Sequence, residues 1–435
     1  MSMPLSEIRS ILIIRPSSIG DIVMASPMIM ALKEGYQDPK ISWLVDPSAI
    51  ELLRYNPLLD EVIPWDKDRW KRLWREGHLF TFLREISRFS KQMRARHFDL
   101  ALDAQGLLRS RLLARLSHAR SRVGFESKEP GRFLMTRIIS RGPSSKHMGS
   151  EYEHMVKELG IPPSPFSPDV VLSDEALQRG KAVVDETGTS GRYAVFCPFT
   201  TRPQKHWIRK RWTDLARAIY EKFGLPSVLL GGPGDRSEAS AIHTQAPDHI
   251  IDLSGKLSLA VSGAIISMSA LAIGVDTGLT HMAVAFNRPT VALFGATCPY
   301  LYSQNQKAVV LYNKLPCSPC KRSPTCNGDY TCMKSIGVQD VLAANVSTLQ
   351  PDQQRTDQVN PVDPVKKRRM MHILHIETGR NLYGGALQVL YLMKGLAKAG
   401  CSNSLVCARE SAIAARSNPF STVHQVSMQG DMDPR

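Results

Sequence analysis

Strand-like apolar runs alternate with amphipathic helical stretches twice along this chain, and no other feature restricts its fold as strongly. In the first half "SILIIR", "KISWLVD", "EVIPW" and "FDLALDAQG" read as strands, with "DIVMASPMIMALKEG" and "AIELLRYN" as helices between them. In the second half "YAVFCPFT", "PSVLLGGPGD", "ALAIGVDTG" and "PTVALFG" are the strands, separated by "WTDLARAIYEKFG", "SLAVSGAIISMS" and "LTHMAVAFN". Strands that alternate with helices imply parallel sheets covered on both faces, whose ligand sites lie in the loops after the strands. At 435 residues the chain exceeds one ordinary core. The expectation is therefore α/β, with two Rossmann-like domains facing across a cleft.

Composition shifts set the expected boundaries. Residues 1–165 form the first domain, and the Pro-, Ser- and Gly-rich residues 166–190 read as an interdomain linker. Residues 191–349 form the second domain, and the polar residues 350–370 read as a further linker. From Met371 a strand, a Gly-rich loop and an amphipathic helix begin again, but residues 371–435 are too few to cover both faces of a sheet. No apolar run is long enough to span a bilayer, and "MSMPLSEIRS" lacks the build of a secretory signal. The expected location is cytoplasmic.

Charge is unevenly spread. Between Asp66 and Met148 there are 20 Lys and Arg against 8 Asp and Glu, so +12 of the chain's net +15 falls there. Such a surface attracts nucleic acid, anionic lipid or another phosphorylated partner. No zinc-finger, RRM or KH pattern accompanies it, and nucleic acid is not the expected partner. Cys317, Cys320, Cys326 and Cys332 crowd into "CSPCKRSPTCNGDYTC", where a metal site is the alternative to a loop that packs without metal. "DKD" at Asp66 to Asp68 resembles a divalent-ion motif but opens the Arg- and Trp-rich "DKDRWKRLWREG", and reads as part of a solvated basic face.

Three strand ends in the second half suit an anion. "GVDTGLTH" places Asp276, Thr277 and Gly278 before a helix near Leu279, whose free N–H groups favour a phosphate, with hydroxyls from Thr277 and Thr280. "PFTTRPQKHW" adds Thr200, Thr201 and Lys205, and "LLGGPGD" adds a glycine turn for close approach of a base or ribose. Together they point to a nucleotide diphosphate on the second domain. In the first domain "SSIGD" offers no phosphate loop. Its small residues Ser18 and Gly20 let an acceptor come close, and Asp21 suits general-base work or a helix cap.

The words "SSIGDIV", "FDLALDAQGLLRS", "TTRPQKHW" and "GVDTGLTHMAVAFNRPTVALFGAT" occur in that order. Across about Ser10 to Val346 the chain resembles the ADP-heptose:lipopolysaccharide heptosyltransferases of glycosyltransferase family nine, most closely the heptosyltransferase I branch. The resemblance implies a GT-B fold and inverting transfer of heptose from ADP-heptose to an anionic Kdo-lipid A acceptor, with no cofactor or metal required. It implies Asp21 as the base, and Thr200, Thr201, Lys205, Asp276, Thr277, Gly278, Leu279 and His281 as donor-binding residues. Arg69, Lys71, Arg72 and Lys128 correspond to the acceptor region, and the implied location is the cytoplasmic face of the inner membrane in peripheral contact. The four-cysteine segment resembles other branches, so a second-heptose transferase or another acceptor stays open, as does a GT-B nucleotide-sugar epimerase. The segment from Met371 resembles the truncated start of a family-four glycosyltransferase, with "GGALQVLYLMKGLAKAG" as the likeness.

Overall fold

The computed structural model describes residues 8–142, 148–162, 166–189, 191–297, 307–320, 323–349, 372–377, 384–398, 402–417 and 421–427. The polar stretch 350–370 and Met371 lie outside these.

The first half builds a parallel sheet from β1 (Ser10–Ile14), β2 (Lys40–Val45), β3 (Glu61–Pro64), β4 (Leu100–Asp103), β5 (Ser121–Phe125) and β6 (Arg137–Ile139). Their spatial order is β3-β2-β1-β4-β5-β6. β1 sits centrally, pairing in parallel with β2 on one side and β4 on the other. Ile11, Leu12, Ile13 and Ile14 have no exposed surface. That is why this strand reads as an unbroken apolar run, since both of its faces are covered.

The second half repeats the plan with β7 (Ala194–Cys197), β8 (Ser227–Leu229), β9 (Ile250–Asp252), β10 (Leu271–Val275), β11 (Thr290–Phe294) and β12 (Ala308–Tyr312). Here the order is β12-β11-β10-β7-β8-β9, so β7 takes the place of β1 and β10 that of β4. The connection direction therefore reverses between β1 and β4, and again between β7 and β10. Those two crevices are where an open parallel sheet binds ligands.

Both halves belong to one compact unit, and they meet through the starts of two helices. Any Cβ on Gly20, in the helix Ile19–Ala25, would lie 2.5 Å from the His281 ring. One on Gly278, in the helix Gly278–Ala285, would lie 2.5 Å from Ile19 and 3.2 Å from the Gly20 backbone nitrogen. Only glycine allows that approach. Beside it, the Glu51 carboxylate accepts from the Ala260 N–H at 2.9 Å, placing a negative charge of the first half at the start of the helix Leu259–Met268.

Residues 166–190, expected as linker, contain the helix Asp174–Glu186. Ser173 caps it, accepting from the Ala176 N–H at 3.1 Å, and Asp174 and Glu175 favour its positive end. It packs on Leu259–Met268, where Gly180 faces Ala264 so closely that a Cβ would stand 2.6 Å away. The Pro, Ser and Gly density marks the approaches to this helix.

Beyond this unit, β13 (His372–Glu377), β14 (Ser402–Ala408) and β15 (Thr422–Val426) form a parallel sheet in that order, with helices Gly384–Lys398 and Ala412–Ser417. A small core of Ala386, Met393, Leu405, Cys407, Ile413 and Ala414 holds it. Leu374 and Ile376 stay exposed on β13. Among the described residues no helix is long and apolar enough to cross a membrane.

The packing at Gly180 is testable. Gly180→Val, a strain-free change in backbone terms, should cost about 1–3 kcal/mol through overpacking against Ala264. An unchanged urea midpoint would contradict this contact.

Candidate functional site

A cavity of about 1000 Å³ lies between the two halves, lined by residues from both. Its lining gathers the loops after β1, β4, β7 and β10, the four strand ends that flank the two reversal points.

From the first half come Arg15, Ser18, Gly20 and Asp21 after β1, and Gln105 and Arg109 after β4. Arg15 is buried at the end of β1. It donates to the Ala104 carbonyl at 2.9 Å and lies 5.7 Å from the Tyr152 ring centre. It also reaches Asp21 Oδ2 at 2.5 Å. The same oxygen accepts from the Ser18 hydroxyl at 2.7 Å and the Ser18 N–H at 3.2 Å. Asp21 thus caps its own helix from the third position and still lines the cavity, so the two readings of this residue coexist. Among the described residues Oδ1 carries no hydrogen bond. Burial alone would raise the Asp21 carboxyl, but the Arg15 guanidinium and the Ser18 hydrogen bonds outweigh it and hold the group below the usual carboxylate range.

The "DAQG" turn is organised by Asp103, whose Oδ1 accepts from the Gln105 and Gly106 N–H groups at 3.0 and 2.9 Å. Gly106 has φ +74, a left-handed conformation that suits glycine. The turn aims the Gln105 amide at the Ser17 carbonyl, 3.2 Å away, and so fixes the loop that carries Asp21. Arg141, which also lines the cavity, braces it, donating to the Gln105 carbonyl at 2.9 Å while paired with Glu151 at 2.5 Å.

From the second half come Thr200, Thr201 and Lys205 after β7, and Asp276, Thr277, Gly278, Leu279 and His281 after β10. Asp276 is the hub. Its Oδ2 takes Lys205 at 2.5 Å and the Thr297 hydroxyl at 2.6 Å, and its Oδ1 takes His281 at 3.1 Å. Burial pushes this carboxyl up, yet His281 and Lys205 more than reverse that and keep it far below its ordinary value. With both oxygens engaged, Asp276 positions the cation and the ring. His281 is almost wholly buried against Gly20. The half-buried Thr277, Gly278 and Leu279 present the open start of their helix to the cavity. Thr280, expected to add a hydroxyl donor, is buried and donates to the Val275 carbonyl at 2.7 Å. The glycine turn at Gly231 and Gly232 also lines the cavity; a Cβ on Gly231 would stand 2.5 Å from the Phe199 ring.

Arg69, Lys71, Arg72 and Lys128 are exposed and do not line the cavity. Arg69 pairs with Glu85 at 3.0 Å. The thiols of Cys320 and Cys332 are pushed up, chiefly by burial and also by the neighbouring cysteines. Among the described residues no three Cys, His, Asp or Glu side chains converge as they would around a metal ion. Sequence reading did not single out Arg15, Arg109, Arg202 or Thr297 as site residues, although all four line the cavity. Arg15 carried a usable signal, a cation closing an otherwise apolar strand shortly before Asp21.

The arrangement makes Asp276 a structural requirement. Asp276→Ala should cost about 3–5 kcal/mol, because it leaves Lys205 without its buried partner. Urea unfolding at neutral pH checks this, and a loss below about 1 kcal/mol would contradict the hub.

The family model described as glycosyltransferase family 9 (heptosyltransferase) matches residues 86–331. The chain is 26% identical over 310 residues to lipopolysaccharide heptosyltransferase 1 of Salmonella typhimurium, covering 68% of this chain and 93% of that protein. It is 23% identical over 350 residues to lipopolysaccharide heptosyltransferase 3 of Escherichia coli K12, covering 78% and 97%. In fold it is similar to E. coli heptosyltransferase WaaC with ADP-2-deoxy-2-fluoro heptose, with TM-score 0.58, 23% identity and coverage of 77% and 98%. The paired sheets are accordingly those of a GT-B enzyme, and the chain belongs to glycosyltransferase family 9, the heptosyltransferase family.

Proposed function

We propose that this glycosyltransferase moves heptose from ADP-heptose to the Kdo-lipid A inner core with inversion, using Asp21 as general base. One observation carries the reading. The loop bearing Asp21 abuts the open helix start at Gly278 through the Gly20–His281 approach, so a base and an anion site share one cavity. Free Asp21 Oδ1 accepts the proton of the acceptor hydroxyl as its oxygen attacks the sugar C1. The bond from C1 to the ADP oxygen breaks on the opposite face. Negative charge growing on the diphosphate meets Lys205 and the N–H groups at Gly278 and Leu279, a stabilisation that asks for no metal ion.

Arg15 shapes the base. By holding the Asp21 carboxyl low, it keeps the group ionised throughout the neutral range, at the expense of proton affinity. What remains is a weak base with the right position and charge, free on one oxygen.

ADP-heptose as donor is supported by the family and by the ligand of the WaaC structure. Peripheral residence on the cytoplasmic face of the inner membrane goes with a lipid-linked acceptor. A later-heptose acceptor is the second reading, favoured by the likeness to heptosyltransferase 3. Transfer assays with ADP-heptose and either Kdo-lipid A or its heptosylated product separate the two. Product from neither acceptor by the folded enzyme would remove this reading, and a rearranged nucleotide sugar formed without acceptor would indicate an epimerase.

The pH dependence follows from the sign of the Asp21 shift. A depressed carboxyl stays active on the alkaline side and loses activity only as pH falls through its lowered value, so the acid limb of kcat/KM should lie below the ordinary carboxylate range. Arg15→Met leaves burial unopposed by that cation and should move the limb upward. A limb that stays in place would exclude Asp21 as the titrating base.

A further inference from the structure

The helices Lys67–Arg75 and Leu79–Arg94 form an unusual pair. The first has no buried residue, and the second buries only Met93. Between them lies an aromatic cluster: Trp70 meets Trp65, Phe82 and Phe89 edge-on at 5.8, 6.1 and 5.5 Å, and Trp74 meets Phe82 at 5.4 Å. This internal packing holds the pair together, and it leaves Trp74 itself and three further large apolar side chains largely in water. Trp74 is 61% exposed, Leu79 51%, Phe80 82% and Leu83 62%. Scattered exposed apolar residues need no explanation, but these four flank a single turn at Gly77. From Lys67 to Arg94 nine Lys and Arg surround them, against three Asp and Glu.

We infer that this helix pair is a docking surface for an anionic phospholipid bilayer, with Trp74, Leu79, Phe80 and Leu83 entering its apolar layer beneath the basic side chains. The inference rests on the proposed transfer to a lipid-linked acceptor, and it assigns the membrane contact to one element. Charge complementarity and amphipathicity argue for this occupant together. Lys and Arg are drawn to the negative headgroups, and an aromatic and aliphatic tip gains by leaving water for the acyl boundary. A nucleic acid would satisfy the cations alike, but would leave Leu79 and Leu83 with nothing to stack on. The tip residues stand outside the cavity, so anchoring and chemistry are separable.

The test uses the full chain and two vesicle preparations, phosphatidylcholine alone and phosphatidylcholine with an equal share of phosphatidylglycerol. Co-sedimentation should occur with the mixed vesicles and fall at high salt. The double change Phe80→Ser with Leu83→Ser should lower partitioning by about tenfold or more. Acyl-chain-brominated lipid should quench tryptophan fluorescence in the wild type and lose that effect in Trp74→Phe. The double variant should still transfer heptose to detergent-dispersed acceptor. Equal binding to neutral vesicles, unchanged partitioning of the double variant, absent quenching, or displacement from vesicles by duplex DNA would each overturn the inference. Loss of transfer by the wild type in detergent would instead strike the catalytic reading while leaving the docking result intact.

Discussion

The site depends on two helix starts pressed together where neither residue has a side chain. Gly20 and Gly278 let the helices Ile19–Ala25 and Gly278–Ala285 approach until backbone and the His281 ring fill the gap. Both helix starts carry partial positive charge, so their approach is electrostatically unfavourable unless anions offset it. The protein supplies Asp21 on one side and Asp276 on the other, each tied to a cation. A nucleoside diphosphate in the same cavity would add to that compensation. The contact that closes the two halves is therefore also the contact that prepares the site for an anion.

Topology explains why these residues converge. Each half places its reversal point beside its central strand, and the loops after β1, β4, β7 and β10 open toward one cavity. The division of labour follows from charge. In the proposed reaction the second half offers Lys205 and an open helix start to the donor, and the first half offers a carboxylate to a proton. Two carboxylates in one cavity are tolerable because each is engaged: Asp276 on both oxygens, Asp21 on one.

Much of this was legible in the sequence, for identifiable reasons. Ile11 to Ile14 and Leu271 to Val275 are buried on both faces, which forces unbroken apolar runs that any reader finds. Asp21 and the "DTGLTH" turn were legible because they follow such runs directly. The role of Asp276 was not, since Lys205 and Thr297 reach it from other strand ends, far away in the chain. Arg15 was hidden for a similar reason: its burial depends on Ala104 and Tyr152. The helix Asp174–Glu186 was obscured by proline, serine and glycine at both of its ends, which outweighed the caps that start it. Local composition reports what precedes and follows a helix as strongly as the helix itself.

The central claim is that Asp21 acts on a proton and leaves the binding of the donor to the second half. Single-turnover transfer by Asp21→Asn, measured alongside calorimetric ADP affinity, tests it most directly. Transfer should fall by about 100-fold or more, with ADP affinity close to wild type. Transfer at the wild-type rate, or an equal loss of ADP binding, would contradict it.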